Sequence, residues 1–124
     1  MRLLLDTHAL LWWLADEGLT PHAAREIARI ENQVLVSAAS AWEIAIKRSL
    51  GRLQAPDDLV EQISAAGFED LSIDCRHAIV AGGLPPHHQD PFDRMLIAQA
   101  VVEGLTVVTR DPRFAAYQVA LLAA

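Results

Sequence analysis

The sequence predicts a single α/β domain built on a parallel sheet. Short β-rich apolar runs alternate with helical patterns along the chain, as in folds whose strands are joined by helical crossovers. The 124 residues are 52% hydrophobic, enough for one sizeable core. No internal repeat, low-complexity stretch or linker interrupts the alternation. Strands are expected at Arg2–Leu5, Val34–Ser37, Leu71–Ile73 and Thr106–Thr109, with a short last strand near Val119–Leu122. Helices are expected at His8–Ala15, Pro21–Ile30, Ala39–Leu50, Asp58–Ala66, Arg76–Ala81 and Pro91–Glu103.

The first run, Leu3-Leu4-Leu5, meets Asp6 too early for the apolar region of a signal peptide, and therefore reads as a strand. Thr20-Pro21 places a cap and then a proline at the first helical position, where the missing N–H is harmless. Ala39, Glu43, Ile46 and Leu50 fall on one stripe of the third helix. Gly51 and Gly104 follow their helices, where a left-handed residue is wanted. Residues 82–89, Gly-Gly-Leu-Pro-Pro-His-His-Gln, are turn formers that lead into Asp90-Pro91-Phe92-Asp93. That tetrapeptide reads as a cap, an N1 proline and an acid near the positive helix terminus.

Bulk properties narrow the function classes. No apolar run approaches the roughly 20 residues of a membrane span. The lone Cys75 excludes an intramolecular disulfide, which makes the reducing cytoplasm the expected location. A small buried hydrophobe is its expected role. A formal net charge of −6 argues against a nucleic-acid binder that relies on a basic surface. It leaves room for an enzyme whose acids are neutralised by metal, and for a basic protein partner.

Four carboxylates, Asp6, Glu43, Asp93 and Asp111, sit where apolar runs meet element boundaries. Desolvating an unpaired carboxylate is expensive, so acids against a core need partners. Brought together, four of them would demand a divalent cation. Each also has a plainer reading. Asp6 caps the helix that follows, and Asp111, before Pro112, starts a turn. Glu43 pairs with Lys47 one helical turn on. Asp93 answers the helix dipole. Asp6 and Asp111 gain weight together, because ligands of open parallel sheets bind outside the carboxyl ends of the strands. Lys47, Arg48, Arg94 and Arg110 lie near the acids in sequence, suited to hold a phosphate or pair with an acid. His8, His87 and His88 are weaker signals, and no spacing resembles a structural zinc cluster. Trp12, Trp13 and Trp42 read as core or interface residues. The helix with Leu10, Leu11, Trp12, Trp13 and Leu14 is apolar on more sides than one core contact explains, which suits an interface.

Four segments occur in order: Leu3-Leu4-Leu5-Asp6-Thr7-His8, Ser37-Ala38-Ala39-Ser40-Ala41-Trp42-Glu43-Ile44, His88-Gln89-Asp90-Pro91-Phe92-Asp93-Arg94, and Val107-Val108-Thr109-Arg110-Asp111. In this the chain resembles PIN-domain ribonucleases, specifically the VapC-like toxins of type II toxin–antitoxin systems, over nearly its whole length. The resemblance implies a Rossmann-like parallel sheet, with Asp6, Glu43, Asp93 and Asp111 forming an acidic pocket at its carboxyl edge. It also implies Mg²⁺ or Mn²⁺ and endonucleolytic cleavage of RNA to a 5′-phosphate and a 3′-hydroxyl. Asp6 and Asp93 are the expected direct metal ligands. Glu43 and Asp111 would hold water or a second ion. Thr7, Lys47, Arg94, Thr109 and Arg110 are the expected substrate contacts. A VapB-like antitoxin is the expected partner, in a homodimer or a toxin–antitoxin hetero-oligomer that meets DNA only through the antitoxin.

Two other classes compete. A response-regulator receiver domain has a similar size and build, but wants adjacent acids after the first strand and a lysine after the last core strand. Leu5-Asp6-Thr7 and Thr109-Arg110-Asp111 offer neither. A catalytically silent binding module is the other alternative, and the intact acid set argues against it.

Overall fold

A computed structural model describes residues 1–124. The strands are β1 (Arg2–Leu5), β2 (Gln33–Ser37), β3 (Glu69–Leu71), β4 (Thr106–Thr109) and β5 (Ala120–Ala123). All pairings are parallel, in the order β3-β2-β1-β4-β5. The helices are α1 (Thr7–Ala15), α2 (Pro21–Ala28), α3 (Ala38–Ser49), α4 (Leu59–Ala65), α5 (Cys75–Gly83) and α6 (Pro91–Glu103), with a 3-10 turn at Pro112–Ala116. This is the α/β architecture expected from the alternation of patterns.

Successive strand residues point to opposite faces, and the core divides accordingly. Leu3, Leu5, Val34, Val36 and Val108 pack on one side with Leu10 of α1, Ala23 and Ile27 of α2, and Ile44 of α3. Leu4, Leu35 and Val107 pack on the other with Leu96 and Ile97 of α6 and with Phe114. Burial on both faces explains why the central strands read as continuous apolar runs.

Several boundaries differ from expectation. The edge strand β3 is Glu69–Leu71, not Leu71–Ile73, in register Leu35↔Glu69 and Ser37↔Leu71 with β2. Glu69 and Asp70 are exposed, and a solvated edge strand needs no apolar alternation. Helix α2 stops at Ala28, and Ile30 is left almost wholly exposed. Helix α5 begins at Cys75 and runs through Gly83, because Asp74 and His77 form a reciprocal capping box. Cys75 is therefore exposed at a helix start rather than buried.

The apolar helix α1 buries Leu10 and packs Leu11, Trp12, Trp13 and Leu14 partly against the core. Gly18, at φ +108°, lies just beyond it, and a Cβ there would stand 2.7 Å from the Trp12 ring. Gly18→Ala should lower stability by roughly 1–3 kcal/mol, through backbone strain and displacement of that indole. Thermal unfolding of the variant checks this.

Candidate active site

The carboxyl ends of β1 and β4 adjoin, because Leu5 pairs with Val108. Asp6 leaves β1 and caps α1, its Oδ1 accepting the Ala9 amide at 2.8 Å. Asp111 follows β4 and caps the 3-10 turn, accepting the Arg113 amide at 2.9 Å. Their plainer readings as capping residues therefore hold, and both still face the same cleft. A carboxylate has two oxygens, so one can cap while the other serves a ligand.

Glu43 enters from α3 and is only 4% exposed. Its Oε1 accepts the Thr7 hydroxyl and its Oε2 accepts the Lys47 ammonium, each at 2.6 Å. The i,i+4 pair is thus formed against a buried carboxylate, not on an open helix face. Asp93 is the third residue of α6. Its backbone N–H and that of Phe92 donate to Asp90, the N-cap.

These four acids line a single polar cleft of about 240 Å³, together with Thr7, His8, Trp12, Lys47, Asp90, Arg110 and Arg113. Crowding and burial show in the ionisation of the acids. Burial pushes the Asp6 carboxyl up, against the Thr109 hydroxyl and the Ala9 amide, which favour its anion. Asp93 is pushed up to about 6 by burial and by the neighbouring Asp90 charge. Asp111 is lowered, chiefly because Arg113 grips both of its oxygens. Lys47 is raised by its bond to Glu43.

The expected substrate contacts divide. Thr7, Lys47 and Arg110 lie at the cleft. Thr109 lies just beneath it, accepting the Asp111 amide. Arg110 is stacked over Trp12 at 4.1 Å and also donates to the carbonyls of Gly18 and Ala124. Arg94 is a correction. Its guanidinium turns away from the cleft and donates to the carbonyls of Ala81, Leu84, Pro85 and His88. It ties the end of α5 and the following loop to α6.

Two residues acquire roles the sequence did not signal. Arg113 holds Asp111. His88 is buried, with Nε2 2.8 Å from Asp93 Oδ2 and 3.6 Å from Asp111 Oδ2. The adjacent His87 points elsewhere, its ring against Tyr117. Trp42, expected in a core or interface, is largely exposed beside Phe92.

Residues 3–120 match the family model of the PIN domain. The chain belongs to the PIN domain family. Its similarity to ribonuclease VapC22 of Mycobacterium tuberculosis is 28% identity over 118 residues, covering 93% of this chain and 91% of that protein. Ribonuclease VapC16 of the same organism is 40% identical over 52 residues, 39% of this chain and 37% of its own. Among solved structures, this PIN domain superposes on VapBC2 of Rickettsia felis bound to a promoter DNA fragment. The TM-score is 0.74 at 14% identity, over 98% of each chain. FitAcB of Neisseria gonorrhoeae gives a TM-score of 0.69 at 24% identity, over 98% of this chain and 96% of that one. The family match removes the receiver-domain alternative. No helix is long and apolar enough to cross a membrane.

Proposed function

We propose that this PIN domain is a metal-dependent endoribonuclease, the toxin of a type II toxin–antitoxin pair. The convergence of Asp6, Glu43, Asp93 and Asp111 from four separate elements into one cleft carries the reading. Similarity to ribonuclease VapC22 over nearly the whole chain supports RNA as the substrate.

The donor chemistry fits Mg²⁺ or Mn²⁺. Asp6 uses Oδ1 for the Ala9 amide, and Asp93 uses Oδ2 for His88. Each retains a second carboxylate oxygen, and hard oxygen donors with one or two carboxylates suit Mg²⁺. Asp6 and Asp93 are therefore assigned as the direct ligands. Both Glu43 oxygens are occupied by Thr7 and Lys47, and both Asp111 oxygens by Arg113. These two acids are assigned to orienting water and substrate. When bound, a divalent ion offsets charge on the scissile phosphate and makes water more acidic.

The chain's own groups supply the rest. Lys47, Arg110 and Arg113 place cationic nitrogens around the cleft, where they balance the acids and meet phosphate oxygens. A protein of net charge −6 thereby presents cations locally to RNA. Thr7 holds Glu43, and Thr109 steadies both Asp6 and the Asp111 amide. In-line attack of water leaves a 5′-phosphate and a 3′-hydroxyl.

The expected partner is a VapB-like antitoxin, in keeping with the VapBC complexes among the structural neighbours. Contact with operator DNA would pass through that antitoxin. The expected assembly is a homodimer or a toxin–antitoxin hetero-oligomer, in the cytoplasm.

The direct test is incubation of purified chain, free of antitoxin, with structured and unstructured RNA in Mg²⁺, Mn²⁺ or EDTA. Cleavage should require metal and disappear in Asp6→Asn with the fold intact. Metal-dependent cleavage retained in both Asp6→Asn and Asp93→Asn would sink the ligand assignment. Absence of cleavage across a broad RNA panel, with folding and metal binding verified, would favour a binding role.

A further inference from the structure

His88 is 2% exposed, and every polar atom of the residue is directed. Its backbone N–H donates to the Tyr117 hydroxyl at 2.9 Å, and that hydroxyl donates onward to the Pro85 carbonyl at 2.6 Å. The imidazole stands edge-on to the Phe114 ring, centroids 6.0 Å apart. Nδ1 accepts the Asp90 amide at 3.3 Å. Nε2 lies 2.8 Å from Asp93 Oδ2 and 3.6 Å from Asp111 Oδ2.

These contacts select a tautomer. A backbone amide is always a donor, so Nδ1 presents a lone pair to Asp90 and the ring proton sits on Nε2. That proton is given to Asp93 at 2.8 Å, with Asp111 a longer charge contact at 3.6 Å, and a carboxylate is an acceptor. Direct ligation of a cation through Nε2 would move the proton to Nδ1, where it would face the Asp90 N–H donor to donor. The three groups His88, Asp93 and Asp111 are close enough to share an ion. The hydrogen bonds instead divide their labour: Asp93 keeps its Oδ1 for the ion, and the histidine keeps an N–H for Asp93.

We propose that His88 is a positioning residue, a buried N–H donor that aims the Asp93 carboxylate and sets its spacing from Asp111 without ligating the metal. The proposal rests on the metal-dependent reading above. Groups that hydrogen-bond ligating carboxylates typically change metal affinity about 10–100-fold when removed. Here the donor also bridges elements, because Asp93 belongs to α6 and Asp111 to the end of β4. Loss of it would free Asp93 to rotate and let the two acids separate.

Two substitutions separate donor from scaffold. In His88→Gln the side-chain amide reaches the Nε2 position and keeps a donor for Asp93. In His88→Asn the amide ends near the Nδ1 position and cannot reach it. Mn²⁺ binding to the purified chain is measured by calorimetry, thermal unfolding is recorded for each protein, and ¹⁴N coupling to bound Mn²⁺ is read by pulsed electron paramagnetic resonance. His88→Gln should bind Mn²⁺ within about threefold of the parent, and His88→Asn roughly tenfold or more weakly. The parent should show no ¹⁴N coupling from a directly bound imidazole. Equal affinities in all three proteins would overturn the positioning role, as would affinities that merely follow the melting temperatures. A ¹⁴N coupling present in the parent and lost in His88→Gln would make His88 a ligand and overturn it also. If the parent binds no Mn²⁺, the metal-dependent reading itself fails, and the proposal with it.

Discussion

Asp93→Asn should make the metal-free protein more stable while abolishing the proposed cleavage of RNA. The carboxyl of Asp93 is held up to about 6, against an ordinary 3.8, so the folded state keeps its proton more tightly than the unfolded chain. Between about pH 4 and 6 the folded protein then binds more protons, and stability falls as pH rises through that window. Above about pH 6 the ionised Asp93 exerts its full cost, and below about pH 4 that cost is gone. Linkage puts the ceiling near 3 kcal/mol. Asp90, Glu43 and Asp111 crowd the group, while His88, Lys47 and Arg113 relieve it. Asparagine removes the charge and still accepts from His88, so a gain on the order of 1–2 kcal/mol at pH 7.5 is expected. On the proposed assignment of Asp93 as a metal ligand, activity should drop at least about 10³-fold, because several kcal/mol of transition-state stabilisation leave with the carboxylate. Thermal melts at pH 5 and 7.5, with and without Mn²⁺, check both halves. Mn²⁺ should raise the parent's melting temperature at pH 7.5, do so much less at pH 5, and leave Asp93→Asn nearly unmoved. An asparagine variant less stable than the parent at pH 7.5 would contradict the ionisation assigned to Asp93.

Arg94→Met should unfold at markedly lower denaturant, with a loss of roughly 2–4 kcal/mol. The guanidinium reaches the carbonyls of Ala81, Leu84, Pro85 and His88 at 2.8–3.1 Å. A carbonyl left without its donor in a partly buried setting costs about 1–3 kcal/mol, with some recovered by water. Arg94→Lys should recover little, because an ammonium is a point donor and cannot span four acceptors held by a planar fork. Urea titrations of both variants give the measurement. The loop fastened by Arg94 carries His88, so surviving folded protein should also bind Mn²⁺ more weakly. An unchanged urea midpoint combined with a raised KM for RNA would instead restore Arg94 as a substrate contact.

Much of the fold was legible because its central strands leave no ambiguity. Leu3-Leu4-Leu5, Val34-Leu35-Val36 and Val107-Val108 are buried on both faces, and strands so placed read as unbroken apolar runs. Edge strand β3 hid behind Glu69 and Asp70, which need bury nothing, and the neighbouring Leu71-Ser72-Ile73 imitated a strand. The acids could be found because each lies at an element boundary or on an apolar helical stripe. His88 and Arg113 could not, since a histidine in a turn-rich loop acquires meaning only when Phe114, Tyr117 and two acids close around it. Arg94 was misplaced for a geometric reason: adjacent helical residues point about 100° apart, so a neighbour of Asp93 need not share its cleft. Cys75 looked like core because cysteine is usually buried, but the Asp74 capping box starts a helix there with its first residue facing solvent.

The first strand of the chain occupies the middle of the sheet, between β2 and β4. During synthesis β1 therefore emerges long before one of its two neighbours, and Asp111 is added only after Thr106–Thr109 has been made. A ribosome-bound chain lacking those residues has an open flank on β1 and an incomplete set of carboxylates. The four-acid cleft is thus assembled only with the closing pairings of a non-local topology, the kind that folds slowly. A chain cut short before Thr106–Thr109 therefore has neither the closed sheet nor the full set of cleft acids.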